Sequence, residues 1–140
     1  MATDPAIPLP SQRTVKVVWL DVNTRIGLNG KPDLLPNVQA INNSLFNLFT
    51  CPIGSRGPIF QPEYGTSLYR LLHDPIDNIT ANKIRAFIVQ AIQRWEPRIE
   101  IDLANSFIRP NYSIPGYEAR LGYNIVATNE YGIANFQLSS

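Results

Sequence analysis

Charge is the first thing this 140-residue chain has little of. Acidic and basic side chains make up 16% of it, against 44% apolar residues, and the formal net charge is +1 with a pI near 7.9. A quarter of a typical globular domain is charged. So neutral a chain offers no electrostatic footprint for a nucleic acid or an anionic membrane surface. It also has few charges with which to cover its surface, which points to burial of some of that surface against a partner. Cysteine is nearly absent as well. A lone Cys51 rules out an intramolecular disulfide and fits a reducing compartment. With one histidine beside it, no Cys/His set exists for a metal, and no Gly-rich phosphate loop or nucleophile motif appears. Apolar runs are short: none approaches the length of a membrane-spanning helix, and MATDPAIPLP lacks the basic and apolar regions of a signal peptide. The expectation is one soluble domain, made in a cytoplasm and requiring no cofactor.

What is present is periodicity. In TANKIRAFIVQAIQRWEPR, from Thr80 to Arg98, the residues Ile84, Phe87, Ile88, Ala91, Ile92 and Trp95 recur at helical spacing and form one apolar face. Thr80 is the expected N-cap. Pro97 stops the helix, because it lacks an N–H and biases Glu96 away from the α region. Glu96 places an anion where the helix dipole disfavours one, and Arg98 lies two residues on, where an extended segment presents both side chains on one side. Glu96, Pro97 and Arg98 therefore read as a rigid, paired, partner-facing head.

The rest of the chain follows in order. Residues 1–14 hold three of the twelve prolines and read as an extended arm, with a single domain over 15–140. VKVVWL (Val15–Leu20) has strand propensity, and 21–36 is a Gly/Pro loop. Val38, Ile41, Leu45, Leu48 and Phe49 mark a helix over Asn37–Thr50, ended by Pro52. A long turn-rich loop over 51–66 carries Arg56, Phe60, Glu63 and Tyr64, and both rings should find something to cover. Leu68, Leu71 and Leu72 give a short helix. After Arg98 the period becomes 2: Ile99, Ile101 and Leu103, then Tyr117 to Ala127, then a turn at Asn129–Gly132 and a last strand, Ile133–Leu138. The class is α+β, with amphipathic helices on one face of a small, mainly antiparallel sheet ending in a three-strand meander.

Glycoside hydrolysis needs two carboxyl groups at a defined separation. Glu63 and Glu96 stand in distinctive settings, but Arg56 and Arg98 lie near them in sequence. A neighbouring cation lowers a carboxyl pKa, the wrong direction for a general acid. No catalytic residue is assigned.

Leu45–Thr50, Gly54-Ser55-Arg56, Phe60-Gln61-Pro62-Glu63-Tyr64-Gly65, Leu68, Leu72, Thr80, Ile84 and AIQRWEPRI (Ala91–Ile99) occur in an order that resembles the baseplate-wedge family of contractile phage tails. That family has also been labelled lysozyme-like, and its homologues serve type VI secretion. The resemblance implies a structural, non-enzymatic virion component of the tail baseplate, assembled in the host cytoplasm. It implies that Glu96, Pro97 and Arg98 contact the helical core bundle of other wedge proteins, with Arg56, Glu63 and Tyr64 in the accompanying turns. The implied partners are those wedge proteins, the tail sheath protein and the tail tube. The sheet resembles the part of a sheath subunit through which neighbours exchange strands. The last strand, IANFQL, has neither the lysine nor the proline that blunts an edge, which makes it, with Asn135 and Phe136, the expected docking edge. Two other readings stay open: a peptidoglycan-cleaving lysozyme-like subunit, and a small regulatory adaptor.

Overall fold

The computed structural model describes residues 19–22 and 34–139. The arm at 1–14, most of the strand expected at Val15–Leu20 and the middle of the 21–36 loop lie outside the described residues. At the loop's two ends the chain is extended. Strand β1 (Leu20–Val22) pairs antiparallel with β2 (Leu34–Pro36) in a separate two-stranded sheet. Helices α1 (Asn37–Thr50), α2 (Leu68–Leu71) and α3 (Asn78–Trp95) follow. Then comes the expected meander of β3 (Ile99–Asn111), β4 (Gly116–Ile125) and β5 (Tyr131–Leu138), antiparallel throughout. Among the described residues no helix is long and apolar enough to cross a membrane.

The core follows from the two periods. Strand β4 lies between its neighbours and turns Tyr117, Ala119, Leu121, Tyr123 and Ile125 inward, all buried. Against them pack Ile84, Ile88 and Ile92 of α3 and Ile41, Leu45 and Leu48 of α1. The α3 stripe is narrower than its spacing implies: Phe87 sits at its margin, 40% exposed. The cap also differs. The helix begins before Thr80, and Asp77 caps it by accepting the Thr80 N–H at 2.7 Å. That bond holds the Asp77 carboxyl below its ordinary pKa.

The meander departs from strict alternation in two places. A register shift between Asp102 and Phe107 turns Leu103 outward, 51% exposed. The Ser106 hydroxyl accepts the Gly122 N–H at 2.9 Å and donates to the Asp102 carbonyl at 2.6 Å, satisfying groups that the break in the ladder would leave unpaired. The second turn lies earlier than Asn129–Gly132. Thr128 and Asn129 donate to the Ile125 carbonyl, Ala127 is exposed in the turn, and Tyr131 and Gly132 already belong to β5. Asn129 takes the left-handed φ of +54° that this connection needs, a region asparagine tolerates better than most side chains.

Candidate functional site

Helix α3 ends where Glu96 donates its N–H to the Ile92 carbonyl at 2.8 Å and Pro97 forbids another turn. The Glu96 side chain then folds inward and is 3% exposed. Arg98 grips its carboxylate with both arms of the guanidinium: Nε donates to Oε1, and Nη2 to Oε2 at 2.6 Å. The Ser44 hydroxyl of α1 donates to Oε2 at 2.6 Å. The Arg98 guanidinium also lies 5.2 Å from the Trp19 ring, and its carbonyl accepts the Val126 N–H at 3.0 Å. The carboxylate hydrogen bond raises the Arg98 pKa further. The pairing matches the expectation, but its position does not match a head that faces a partner. The carboxylate is a buried pin joining α1, α3 and the start of β3, and only Pro97 and the outer part of Arg98 reach the surface.

The 51–66 loop builds a second layer beside this pin. It closes through Thr66 N–H to the Cys51 carbonyl (2.9 Å) and Gly54 N–H to the Pro62 carbonyl (2.8 Å). Gly65, at φ +117°, is obligatory, since a Cβ there would stand 2.2 Å from the Cys51 carbonyl oxygen. The closure lays Tyr64 edge-on to Trp95 at 5.3 Å and sets Arg56 3.7 Å over the Tyr64 ring. Burial raises the Tyr64 pKa, with Arg56 opposing, so the phenol stays protonated at neutral pH. Arg56 is thus spent on a ring, and the partner of Glu63 is Arg94, which also lies 5.0 Å from the Trp95 ring. Tyr64 finds its cover; Phe60, at 68% exposure, does not, and Ile59 beside it is 83% exposed. Arg56, Glu63, Tyr64, Pro97 and Arg98 therefore come together around Trp95 and the α3 C-terminus.

Asn135 and Phe136 lie elsewhere, on β5. In an antiparallel pair, alternate residues bond the neighbour and the others direct their N–H and C=O outward. The Ile125 N–H bond to the Glu130 carbonyl (2.9 Å) sets the parity. With the β4–β5 register it leaves the backbone groups of Tyr131, Ile133, Asn135 and Gln137 facing away from β4. Beside that edge runs a groove of about 560 Å³ whose walls include Phe46 and Phe49 of α1 and Asn135, Phe136 and Leu138 of β5. Phe49 and Phe136 meet edge to face at 5.1 Å.

The opposite edge is built differently. The Val126 N–H bond to the Arg98 carbonyl and the β3–β4 register place Ile99, Ile101, Ile108 and Pro110 outward. Pro110 has no N–H to offer there, and the bulge over 103–106 breaks the line. Proline and bulges are the devices by which proteins blunt sheet edges. Among the described residues β5 carries neither.

Both the sequence and the fold of this chain match known proteins. The family model described as "Baseplate wedge protein gp25" matches residues 37–129. The chain belongs to that family. Baseplate wedge protein gp25 of Enterobacteria phage T4 is 27% identical over 88 residues, which cover 61% of this chain and 65% of that protein. The match thus spans just under two thirds of the curated relative. Two solved structures share the fold. One, from Geobacter sulfurreducens, is named as a candidate tail lysozyme; it has a TM-score of 0.59 at 22% identity, over 71% of this chain and 89% of its own. The other is a chain of the post-contracted pyocin R2 baseplate, with a TM-score of 0.51 at 21% identity, over 85% of this chain and 98% of its own. The baseplate wedge match covers the pinned junction, the 51–66 loop and all of β3 and β4, and stops before β5.

The sequence did not point to Ser44, Trp19, Asn42 or Asp77. A serine in the interior of a helix is one usable signal, since serine competes with the backbone there and is better placed elsewhere unless it has a partner. Trp19 carried none beyond its strand-like surroundings.

Proposed function

We propose that this chain is a structural subunit of a contractile-tail baseplate wedge that joins the wedge core on one side and starts the sheath on the other. The core-facing side is the cluster of Arg56, Glu63, Tyr64, Pro97 and Arg98, beside which Ile59 and Phe60 stand exposed. The sheath-facing side is the outward edge of β5, including Asn135. The observation that carries the reading is the difference between the two sheet edges: β3 is blunted by Pro110 and a bulge, while β5 is straight, unblunted and flanked by an apolar groove. An edge with unpaired main-chain groups recruits an extended segment by β-augmentation. The family and the pyocin baseplate likeness support a place among other baseplate proteins of a virion tail.

The geometry favours structure over hydrolysis. Glu96 is committed to Arg98 and Ser44, and Glu63 to Arg94 on the exposed side of α3, so the two conspicuous carboxylates do not converge on a cleft. The purified chain is therefore expected to release no soluble fragments from peptidoglycan. Turnover that vanishes in Glu63→Gln or Glu96→Gln would overturn the structural reading in favour of a lysozyme-like subunit.

The core-facing side is tested by Arg56→Glu. Arg56 is exposed, and its contact with the Tyr64 ring contributes about 0.5–1 kcal/mol at such a site. The variant should melt within a few degrees of the native chain yet co-purify poorly with the other wedge proteins. Full recovery with the wedge would remove this face from the contact.

A further inference from the structure

We propose that Asn42 acts as a stop on the β5 edge, confining an added strand to the Asn135–Gln137 end and to a segment that is uncharged where it faces the groove. The proposal rests on the strand-addition reading of β5 and specifies what that edge accepts. Asn42 lies on α1 with its amide between the core and the sheet edge. Its Oδ1 accepts the hydroxyl of Tyr123 at 2.7 Å, and its Nδ2 donates to the Ile133 carbonyl at 3.3 Å. Tyr123 is fully buried, and its hydroxyl also lies 3.3 Å from the Val38 carbonyl, so Asn42 is oriented from inside the fold. The carbonyl it occupies is one of the outward acceptors of β5. An incoming strand would have to displace, or share the acceptor with, an amide that the core holds in place.

Beyond Ile133 the outward groups of Asn135 and Gln137 border the groove, where Phe46 and Phe49 form the opposite wall. Backbone donors and acceptors without a partner among the described residues, set along one wall, call for an extended main chain as occupant. A strand rises about 3.3 Å per residue, so the two positions suit a paired stretch of three or four residues. No charged side chain lines the groove among the described residues; its polar groups are amides and a hydroxyl, including Gln39 and Asn43. A charge turned into it would meet no charged side chain among the described residues of the lining. The occupant is therefore a short extended segment of a sheath subunit with an apolar residue directed at Phe136.

The test is a proline scan along the outward positions, read as binding of purified sheath subunit to purified baseplates. Proline at 133, 135 or 137 removes an outward N–H and leaves the β4–β5 ladder its bonds. Asn135→Pro and Gln137→Pro are expected to weaken binding by at least about tenfold, and Ile133→Pro by no more than about twofold. In an Asn42→Ala background the freed Ile133 carbonyl should admit pairing there, and Ile133→Pro should then weaken binding as the other two do. Hydrogen exchange on the native chain gives a second readout independent of any variant's folding: bound sheath should slow the amides of Asn135 and Gln137 and leave Ile133 unchanged. If Ile133→Pro costs as much as the others while Ile133→Ala does not, or if the Ile133 amide is slowed, Asn42 is no stop, and strand addition itself still stands. If no outward position matters and no outward amide is slowed, the strand-addition reading falls with it.

Discussion

Arg98→Ala is expected to destabilise the isolated chain by about 3–5 kcal/mol, before any partner is involved. The reason is what the substitution leaves behind. Glu96 is 3% exposed and receives two of its hydrogen bonds from the Arg98 guanidinium. Without them a carboxylate remains inside the fold with the Ser44 hydroxyl as its remaining side-chain partner. A domain of this size has about 5–15 kcal/mol of total stability, so the variant should be soluble but melt early, or fail to fold. Urea unfolding measures the loss. The control separates a lost contact from a stranded charge. Glu96→Gln combined with Arg98→Met removes both charges while keeping similar volume, and should recover much of the stability lost in Arg98→Ala. A variant that unfolds at the native urea concentration would show that the pair is solvated, and would leave Arg98 a role at the partner-facing surface alone.

Asn135→Pro is expected to block sheath assembly while tail tubes and baseplates still form. The Asn135 side chain is exposed, and its backbone groups face away from β4, so proline deletes a donor at the open edge without deleting a ladder bond. The ring also projects toward the space an added strand would occupy. The fold tolerates the change better than it would at Ala134 or Phe136, whose N–H groups bond β4 by the same parity. Electron microscopy of tails assembled with the variant reads the outcome. Sheath of normal length on those baseplates would exclude β5 as the docking edge.

Much of this architecture was legible because its two periods are clean. Helix α1 occupies the expected Asn37–Thr50, and the alternation from Tyr117 to Ile125 buries as read, because β4 has a strand on either side and helices over one face. Alternation fails at Leu103 and Ala127, where hydrogen bonding and not hydrophobicity decides: Ser106 closes a bulge around the first, and the Ile125 carbonyl closes a turn around the second. The same limit applies at the junction. Spacing suggested that Glu96 and Arg98 meet, and they do. Whether the pair faces water depends on Ser44, some fifty residues away in sequence, whose hydroxyl completes the carboxylate's bonds inside the fold. Arg56 shows the opposite failure. Proximity in sequence suggested Glu63, whereas loop closure through Gly54 and Gly65 places it on the Tyr64 ring and gives Glu63 to Arg94. The choice of edge was legible only in composition, since IANFQL holds neither lysine nor proline. The contrast with the other edge required the bond parity of both outer strands, which shows the missing N–H of Pro110 facing outward on β3 and none missing on β5.

The most direct test of this account is a map of the assembled baseplate carrying its first sheath ring, at a resolution that traces strands. A fourth strand is expected beside β5, about 4.8 Å away and paired at Asn135 and Gln137, with its source in a sheath subunit and with β3 left unpaired on its outer edge. A sheath ring seated on other surfaces of the chain, with the β5 edge open to solvent, would contradict it.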